Sequence, residues 1–281
     1  MGKEIFKNRK LVIATKHQKE EVIAPLVASE LQVEPFVIDG LDTDLLGTFT
    51  GEIERKLDPL STARAKCHMA MELSGCDLAI ASEGSFGMHP FIPFLPSDDE
   101  LVVLVDRRHQ LEIVGRNLTV ETNFNGREVI NKQQLEDFAQ KAGFPSHGLI
   151  IRNARNQNLF LKKGIVSREL LYESFDQALK EFGNAFVETD MRAFLNPTRM
   201  KAIQEATRDL LKRAARLCPD CSAPGFGITG HRDGLPCSLC GAPTRSVFSY
   251  IYTCNRCGYS EEIRNPEKEK EDPTYCDYCN P

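Results

Sequence analysis

Four Cys-x-x-Cys pairs lie in the last 64 residues of this 281-residue chain and use eight of its ten cysteines. A short knuckle of this kind brings two sulfur atoms to one metal ion, and two knuckles complete a tetrahedron around Zn²⁺ with no open position. The sequence therefore predicts two structural zinc ions in a module over residues 218–281. The predicted ligands are Cys218, Cys221, Cys237, Cys240, Cys254, Cys257, Cys276 and Cys279. A disulfide scaffold or a redox pair is the alternative, but no secretion signal is visible and redox chemistry does not need four repeated knuckles.

Two pairings of the knuckles are open. The second and third resemble the halves of a zinc ribbon, because Gly241 and Gly258 follow their second cysteines, where a left-handed turn is easily formed. The strand-forming stretch 247–252 lies between them. This pattern favours a nested pairing, in which the first and fourth knuckles close an outer site. A cross-braced pairing, first with third and second with fourth, is the alternative.

The charge of the module bears on its partners. Residues 218–281 hold six Arg or Lys and nine Asp or Glu, a balance of −3. Each zinc ion with four thiolates adds a further negative charge, whereas modules that bind nucleic acid need a basic surface. We therefore expect a structural role or docking to a protein partner, and we disfavour nucleic-acid binding.

The first 217 residues can form one substantial core. A strand at 11–14, a helix and a strand at 35–38 form a β-α-β opening, and later strands with tight turns include a hairpin signal at Asn125-Gly126. The prediction is an α/β fold: a mixed sheet flanked by helices over residues 1–217, followed by a small double zinc-ribbon-like module over 218–281. Residues 40–60, which include Arg55, are predicted to be a mobile loop, and Ser61 is predicted to cap the next helix. No apolar run of 18 residues and no signal sequence are visible, which predicts a cytoplasmic protein without a membrane span.

The first candidate site is Glu83-Gly84-Ser85-Phe86-Gly87, directly after a buried strand at 77–81. In open α/β sheets, ligands bind at the carboxyl ends of strands. Glycines at Gly84 and Gly87 allow backbone N–H groups to approach a ligand, and Glu83 is a suitable ligand for Mg²⁺. An ordinary glycine-rich turn is the alternative.

The second candidate site is the segment from Glu188 to Arg199. Alternation along a strand places Glu188, Asp190 and Arg192 on one face. Carboxylates there suit Mg²⁺ and arginine suits phosphate. Asn196, followed by proline, begins a helix whose positive N-terminus carries Arg199 in its first turn. An edge strand with solvated charges and an ordinary helix cap is the alternative.

Three motifs in the first 90 residues resemble the inosine/xanthosine triphosphatase superfamily. They are Leu11-Val-Ile-Ala-Thr15, Ser61-Thr-Ala-Arg64-Ala-Lys66 and Ala79-Ile-Ala-Ser-Glu83-Gly84. Members of that superfamily use Mg²⁺ to hydrolyse non-canonical purine nucleoside triphosphates to monophosphate and pyrophosphate. His17 stands where the superfamily usually has asparagine, and Lys19 stands one place before its usual lysine. The whole chain also resembles a bacterial family with a C-terminal four-cysteine zinc-ribbon module.

Together these patterns lead to one hypothesis with two alternatives. The leading hypothesis is a zinc-containing α/β hydrolase that acts on a nucleotide or another phosphorylated small molecule with Mg²⁺. Its candidate catalytic residues are Glu83, Glu188 and Asp190, and its candidate ligand-binding residues are Thr15, Lys19, Arg64, Gly84, Ser85, Arg192, Asn196 and Arg199. The alternatives are a non-enzymatic interaction protein that docks a protein partner through the zinc module, and a nucleic-acid-binding ribbon. The enzyme hypothesis requires the two candidate sites to converge.

Overall fold

The structure, a computed structural model, describes residues 3–38, 40 and 57–281. The loop predicted over 40–60, with Arg55, lies largely outside these residues. The chain divides into two compact units. The α/β unit comprises Phe6–Arg108 and Val114–Leu211, and the cysteine unit comprises Met1–Ile5, His109–Ile113 and Lys212–Pro281.

The first sheet of the α/β unit has the strand order β2-β1-β3-β4-β5. Its strands are β1 (Lys10–Ala14), β2 (Glu34–Phe36), β3 (Leu78–Met88), β4 (Pro96–Asp106) and β5 (Leu111–Thr119), with α1 (Glu20–Leu31) and α2 (Pro59–Ser74) in the connections. β1 is parallel to both β2 and β3, whereas β4 returns antiparallel to β3. The predicted β-α-β opening and the mixed sheet are therefore confirmed.

Strand β3 extends well beyond the end of its parallel neighbour. β1 ends at Ala14, opposite Ala81, but β3 continues to Met88 because its pairing with β4 runs without a break. The residues after Ala81 therefore lie beyond the carboxyl end of β1, on the side where α1 begins.

Helix α2 packs an apolar face on this sheet, with Ala63, Cys67 and Met71 buried against strand residues. Its N-cap is Asp58, whose carboxylate accepts the N–H of Ser61 at 3.0 Å. The prediction that Ser61 is the cap was wrong, because the proline at position 59 suits the first turn and the helix starts there.

The second sheet of the α/β unit is wholly antiparallel, in the order β6-β9-β7-β8. Its elements are β6 (Gly126–Val129), α3 (Lys132–Ala142), β7 (Leu149–Arg152), β8 (Leu161–Ile165), α4 (Arg168–Phe182) and β9 (Ala185–Thr189). The hairpin predicted at Asn125-Gly126 was wrong: β6 pairs with β9, and β5 belongs to the first sheet. Instead, the Asn125 side chain accepts a hydrogen bond from the N–H of Gly126. This bond stabilises a local turn directly before β6, the first strand of the second sheet.

Helix α5 (Pro197–Ala214) starts where the sequence predicted, with the Asn196 side chain accepting the N–H of Arg199 at 3.0 Å. It approaches β5 closely at Gly115, where an added Cβ would lie 2.4 Å from the backbone nitrogen of Leu210. Only glycine permits this approach. The packing holds the C-terminal half of α5 against β5.

The cysteine unit contains a three-stranded antiparallel sheet in the order β10-β11-β12. The strands are β10 (Gly227–Asp233), β11 (Val247–Thr253) and β12 (Ser260–Arg264). Its small apolar core includes Leu111, Phe226 and Tyr252. Within the described part of the chain, no helix is both long and apolar enough to cross a bilayer.

Candidate metal centres and a buried charge cluster

All four knuckles have the same local fold. In each, the backbone N–H that follows the second cysteine donates to the carbonyl of the first, at 2.9 to 3.0 Å. Gly241 and Gly258 have φ angles of 73° and 75° at this position. The left-handed turn inferred from these glycines is therefore present, and it aims both sulfurs of a knuckle to the same side.

The eight cysteines form two clusters of four sulfur atoms. One contains Cys218, Cys221, Cys254 and Cys257, and the other contains Cys237, Cys240, Cys276 and Cys279. Close Sγ–Sγ distances are 3.6 and 3.7 Å in the first cluster and 3.6 and 3.9 Å in the second. A regular tetrahedron with Zn–S bonds of about 2.3 Å has sulfurs about 3.8 Å apart, whereas a disulfide is about 2 Å long. All ten cysteines are in the described residues and are free thiols, so both clusters fit zinc and neither is a disulfide.

The clusters are cross-braced, and the favoured nested pairing was wrong. Gly227 pairs with Thr253, so the first knuckle meets the third at one end of the sheet. At the other end, Asp233 pairs with Val247, and the second knuckle meets the fourth. The second and third knuckles are separated by the seven residues of β11, roughly 20 Å of extended chain. They therefore cannot share one ion.

Electrostatics also fit a cation in each cluster. The backbone N–H of Cys240, opposed by burial and aided by the N–H of Leu239, lowers the pKa of the Cys237 thiol to about 7. In the same cluster the neighbouring thiol of Cys240, together with burial, raises the pKa of Cys279 to about 12. Four crowded sulfurs cannot all ionise without a cation, and a Zn²⁺ ion would provide that charge. Four thiolates leave no position for a reacting water, so a zinc ion held in either cluster would be structural.

The surfaces of the two centres differ. In the second centre the third knuckle positions are Leu239 and Tyr278, which are 74% and 79% exposed. Tyr275, beside that centre, is 66% exposed. The equivalent positions of the first centre are Asp220 and Arg256, which are polar. Only the second centre therefore presents exposed apolar side chains at these positions.

The α/β unit contains a cluster of buried charged side chains at the carboxyl end of its parallel strands. Lys66 of α2 forms an ion pair with Glu83 of β3, with Nζ and Oε2 2.5 Å apart. Arg199 of α5 forms an ion pair with Glu100 of β4, with Nε and Oε1 2.7 Å apart. Arg199 and Glu100 have no solvent-exposed surface. Such buried pairs are stable only while both partners are present, because a buried charge without a partner is strongly destabilising.

Lys19 joins this cluster from the start of α1. It is buried, and its ammonium donates to the Ser82 hydroxyl at 3.1 Å and approaches the Ser82 carbonyl at 3.4 Å. Burial, followed by repulsion from Arg199, lowers its pKa to about 7. Glu100 and Glu83 oppose this shift and Lys66 adds to it. Lys19 therefore interacts with all four other charged groups of the cluster.

Asp98 is the sixth member. It is fully buried on β4, and burial, then repulsion by Glu100, raises its pKa to about 8. Arg199 lowers it. Three buried carboxylate oxygens accept no hydrogen bond from the described residues. They are both oxygens of Asp98 and Oε2 of Glu100.

Gly84 and Ser85 do not form a turn. They lie inside β3, opposite Glu100 and Asp99 of β4, so the strand continues past the predicted end at Ala81 and the alternative of an ordinary glycine-rich turn is excluded. A Cβ at Gly84 would overlap the Glu100 carboxyl group and lie 2.8 Å from Nη2 of Arg199. The glycine is needed for the ion pair to lie against the strand.

The other two candidate carboxylates form a separate group. Glu188 pairs with Arg152 at 2.6 Å, and burial raises its pKa against the effect of that arginine. Asp190 is fully buried and pairs with Arg192 at 2.5 Å, while also accepting the N–H of Gly164. β9 ends at Thr189, so the expected alternation of three side chains along one strand was wrong.

The two candidate sites are joined through the start of α5. Arg199 donates to the Met191 carbonyl at 2.5 Å, and Asn196 contacts the Asp190 carbonyl at 3.3 Å. His17, in the loop after β1, stacks on Phe194 with ring centroids 5.5 Å apart. The two segments therefore converge, although Glu83 and Asp190 each have a different cation as partner.

The remaining candidates occupy less decisive positions. Thr15 is largely buried and its hydroxyl donates to the carbonyl of Lys16, and Arg64 is half-buried on α2. Sequence reasoning did not select Lys66, Asp98 or Glu100 as site residues. The signal for the last two was alternation: they precede a buried apolar run and lie two residues apart, hence on one face of β4.

The fold and the sites define an α/β protein with two four-cysteine clusters that could each hold a metal ion. The chain belongs to the DUF6671 family, described as a domain of unknown function, whose model matches residues 66–281. No curated protein matched the chain. Among solved structures it is similar to protein VC0702 from Vibrio cholerae, with 9% identity and a TM-score of 0.33 over 73% of this chain and 94% of that one.

Proposed function

We propose that the α/β unit binds a phosphorylated small molecule, specifically a nucleotide, at the carboxyl end of β1 and β3 and hydrolyses a phosphoanhydride in it. The observation that carries this proposal is the convergence of three cations from three helices. Lys19 precedes α1, Lys66 lies in α2 and Arg199 lies in the first turn of α5. Side chains of this kind neutralise the charge that develops on phosphate oxygens.

The place of the cluster supports a ligand site. It lies beyond the last residue of β1, the edge at which open α/β sheets bind their ligands. Glu83 and Glu100 hold Lys66 and Arg199 while no phosphate is present. A phosphate group would take over these cations, and the released carboxylates would be available to orient a water molecule or contact Mg²⁺. When bound, Mg²⁺ would supply further charge neutralisation.

The group around Glu188 has a positioning role in this proposal. Asp190 holds Arg192, whose guanidinium lies 5.2 Å from the centre of the Phe194 ring. Phe194 in turn stacks on His17, next to the loop that carries Lys19. Arg192 and the stacked pair would contact the part of the ligand beyond its phosphates. Glu188 would keep Arg152 in place rather than react.

The test is a panel of nucleoside triphosphates, including the inosine and xanthosine forms, with Mg²⁺ and a pyrophosphate readout. Wild-type protein should release pyrophosphate from at least one of them and should be thermally stabilised by it. Lys19→Met should abolish both effects, whereas Lys16→Met, which removes a charge from the exposed side of the same loop, should retain them. No turnover and no nucleotide-dependent thermal shift in the wild type would refute the proposal.

A second candidate function is docking of a protein partner by the second metal centre. Its support is the exposed set Leu239, Tyr275 and Tyr278 in an acidic module, because exposed apolar patches mark interaction sites. A photo-crosslinking amino acid at position 278 should then capture one partner in cells, and the same group at position 256 of the first centre should not. Equal capture at both positions would exclude this function. The acidity of the module argues against nucleic acid as the partner.

A further inference from the structure

Strand β4 carries two acidic residues on its buried face. Side chains alternate along a strand, so Asp98 and Glu100 point to the same side, and both are fully buried. Asp99 between them is on the other side, where it pairs with the half-exposed Arg116 at 2.6 Å. Two neighbouring carboxylates inside a protein repel each other unless a cation or a proton lies between them.

Of the four carboxylate oxygens of this pair, three accept no hydrogen bond from the described residues. Oε1 of Glu100 accepts from Arg199 at 2.7 Å. Within the described residues, Oε2 of Glu100 and both carboxylate oxygens of Asp98 are buried and have no donor. The nearby ammonium groups have other partners, since Lys66 pairs with Glu83 and Lys19 donates to Ser82.

We propose that Asp98 and Glu100 form a binding site for one divalent cation of the oxygen-preferring kind, Mg²⁺ or Mn²⁺. Two carboxylates are a usual protein contribution to such a site, and water or phosphate oxygens complete the octahedron. In the protein without nucleotide, Oε2 of Glu100 would contact the cation while Oε1 keeps its bond to Arg199. The cation would thus lie beside the three basic side chains assigned to phosphate, so its catalytic use rests on the proposed function, but its binding does not.

A proton shared by the two carboxyl groups is the competing explanation. It would relieve the same repulsion without any metal. The two explanations differ in a measurable way: a shared proton makes stability depend on pH alone, whereas a cation site makes it depend on the concentration of Mg²⁺ or Mn²⁺ at fixed pH.

The experiment uses the zinc-loaded full chain at fixed pH, without nucleotide and without chelator, so that the thiolate centres stay filled. Mn²⁺ binding is followed by electron paramagnetic resonance, and the thermal shift is measured with Mg²⁺. Zinc-filled thiolate sites do not exchange for Mn²⁺, which binds such ligands more weakly. We expect one bound Mn²⁺ per chain. Asp98→Asn should weaken its binding about ten-fold or more, and Asp99→Asn, the charge-matched control on the same strand, should leave it unchanged.

Glu100→Gln is the second variant, because glutamine keeps an oxygen for Arg199 while losing the charge. It should weaken Mn²⁺ binding as Asp98→Asn does. Absence of Mn²⁺ binding in the wild type, or equal binding in wild type and Asp98→Asn, would overturn the proposal. Mn²⁺ binding without nucleotide turnover would support the cation site and refute the hydrolase function. Nucleotide turnover without Mn²⁺ binding at Asp98 and Glu100 would support the hydrolase function and refute the cation site.

Discussion

The cysteine unit and the α/β unit assemble their polar sites in opposite ways. Each metal centre combines two knuckles whose ligands are only three residues apart in the chain. The charge cluster instead collects its members from α1, α2, β3, β4 and α5, between Lys19 and Arg199. A local motif can be recognised one piece at a time. A cluster made of distant residues exists only after the fold has placed them.

This difference explains what the sequence could predict in the cysteine unit. The ligands followed from spacing alone, but their pairing depends on how the sheet is folded. β11 places the second and third knuckles at opposite ends of the sheet. The length of the strand-forming stretch could have excluded the nested pairing. An extended strand of seven residues is too long for the knuckles at its two ends to bind one ion.

In the α/β unit, Glu83 and Arg199 were selected for their positions at element ends, and Lys19 was selected as a basic residue close to the superfamily's usual lysine. Their partners Lys66 and Glu100 were missed, because they are 17 and 99 residues away in the chain. Gly84 was predicted to let a backbone N–H group approach a ligand, with an ordinary turn as the alternative. Its actual role is close packing under an ion pair, which no local pattern reveals.

The largest effect is expected when one metal centre is removed. Purified wild type should contain about two zinc ions per chain, and Cys218→Ser should contain about one, because three thiolates hold Zn²⁺ poorly and structural zinc contributes about 10 kcal/mol or more. Thiol alkylation read by mass spectrometry should then modify Cys254 and Cys257 but spare Cys276 and Cys279. Cys76→Ser, at a half-buried cysteine outside both centres, is the control and should keep both ions. Exposure of Cys276 instead of Cys254 would restore the nested pairing.

The next effect concerns the buried pair of the α/β unit. Arg199→Met leaves the buried Glu100 without its cation, which should lower the free energy of unfolding by about 3–5 kcal/mol. Arg116→Met breaks the half-exposed pair with Asp99 on the same strand and should cost about 1 kcal/mol or less. Urea denaturation of both variants measures the difference. Equal losses would show that the cluster is not isolated from solvent.

A smaller effect is expected at the glycine under this pair. Gly84→Ala should destabilise the protein by about 1–3 kcal/mol, because the new methyl group displaces the Glu100 carboxyl group. Gly87→Ala, three residues further along β3, has open space around its Cβ and should have little effect. The comparison is made by thermal denaturation. A neutral Gly84→Ala would mean that the ion pair moves freely.

The most direct test of the ligand site is the pH dependence of nucleotide binding, measured by calorimetry from pH 6 to pH 9. Lys19 loses its proton near pH 7 in the free protein, whereas a bound phosphate favours the charged amine. Affinity should therefore fall as pH rises, by up to about ten-fold per unit. Lys16→Met should reproduce this fall, whereas Lys19→Met should bind the nucleotide too weakly to give a profile. No nucleotide binding at pH 6, or identical profiles for wild type and Lys19→Met, would contradict the account.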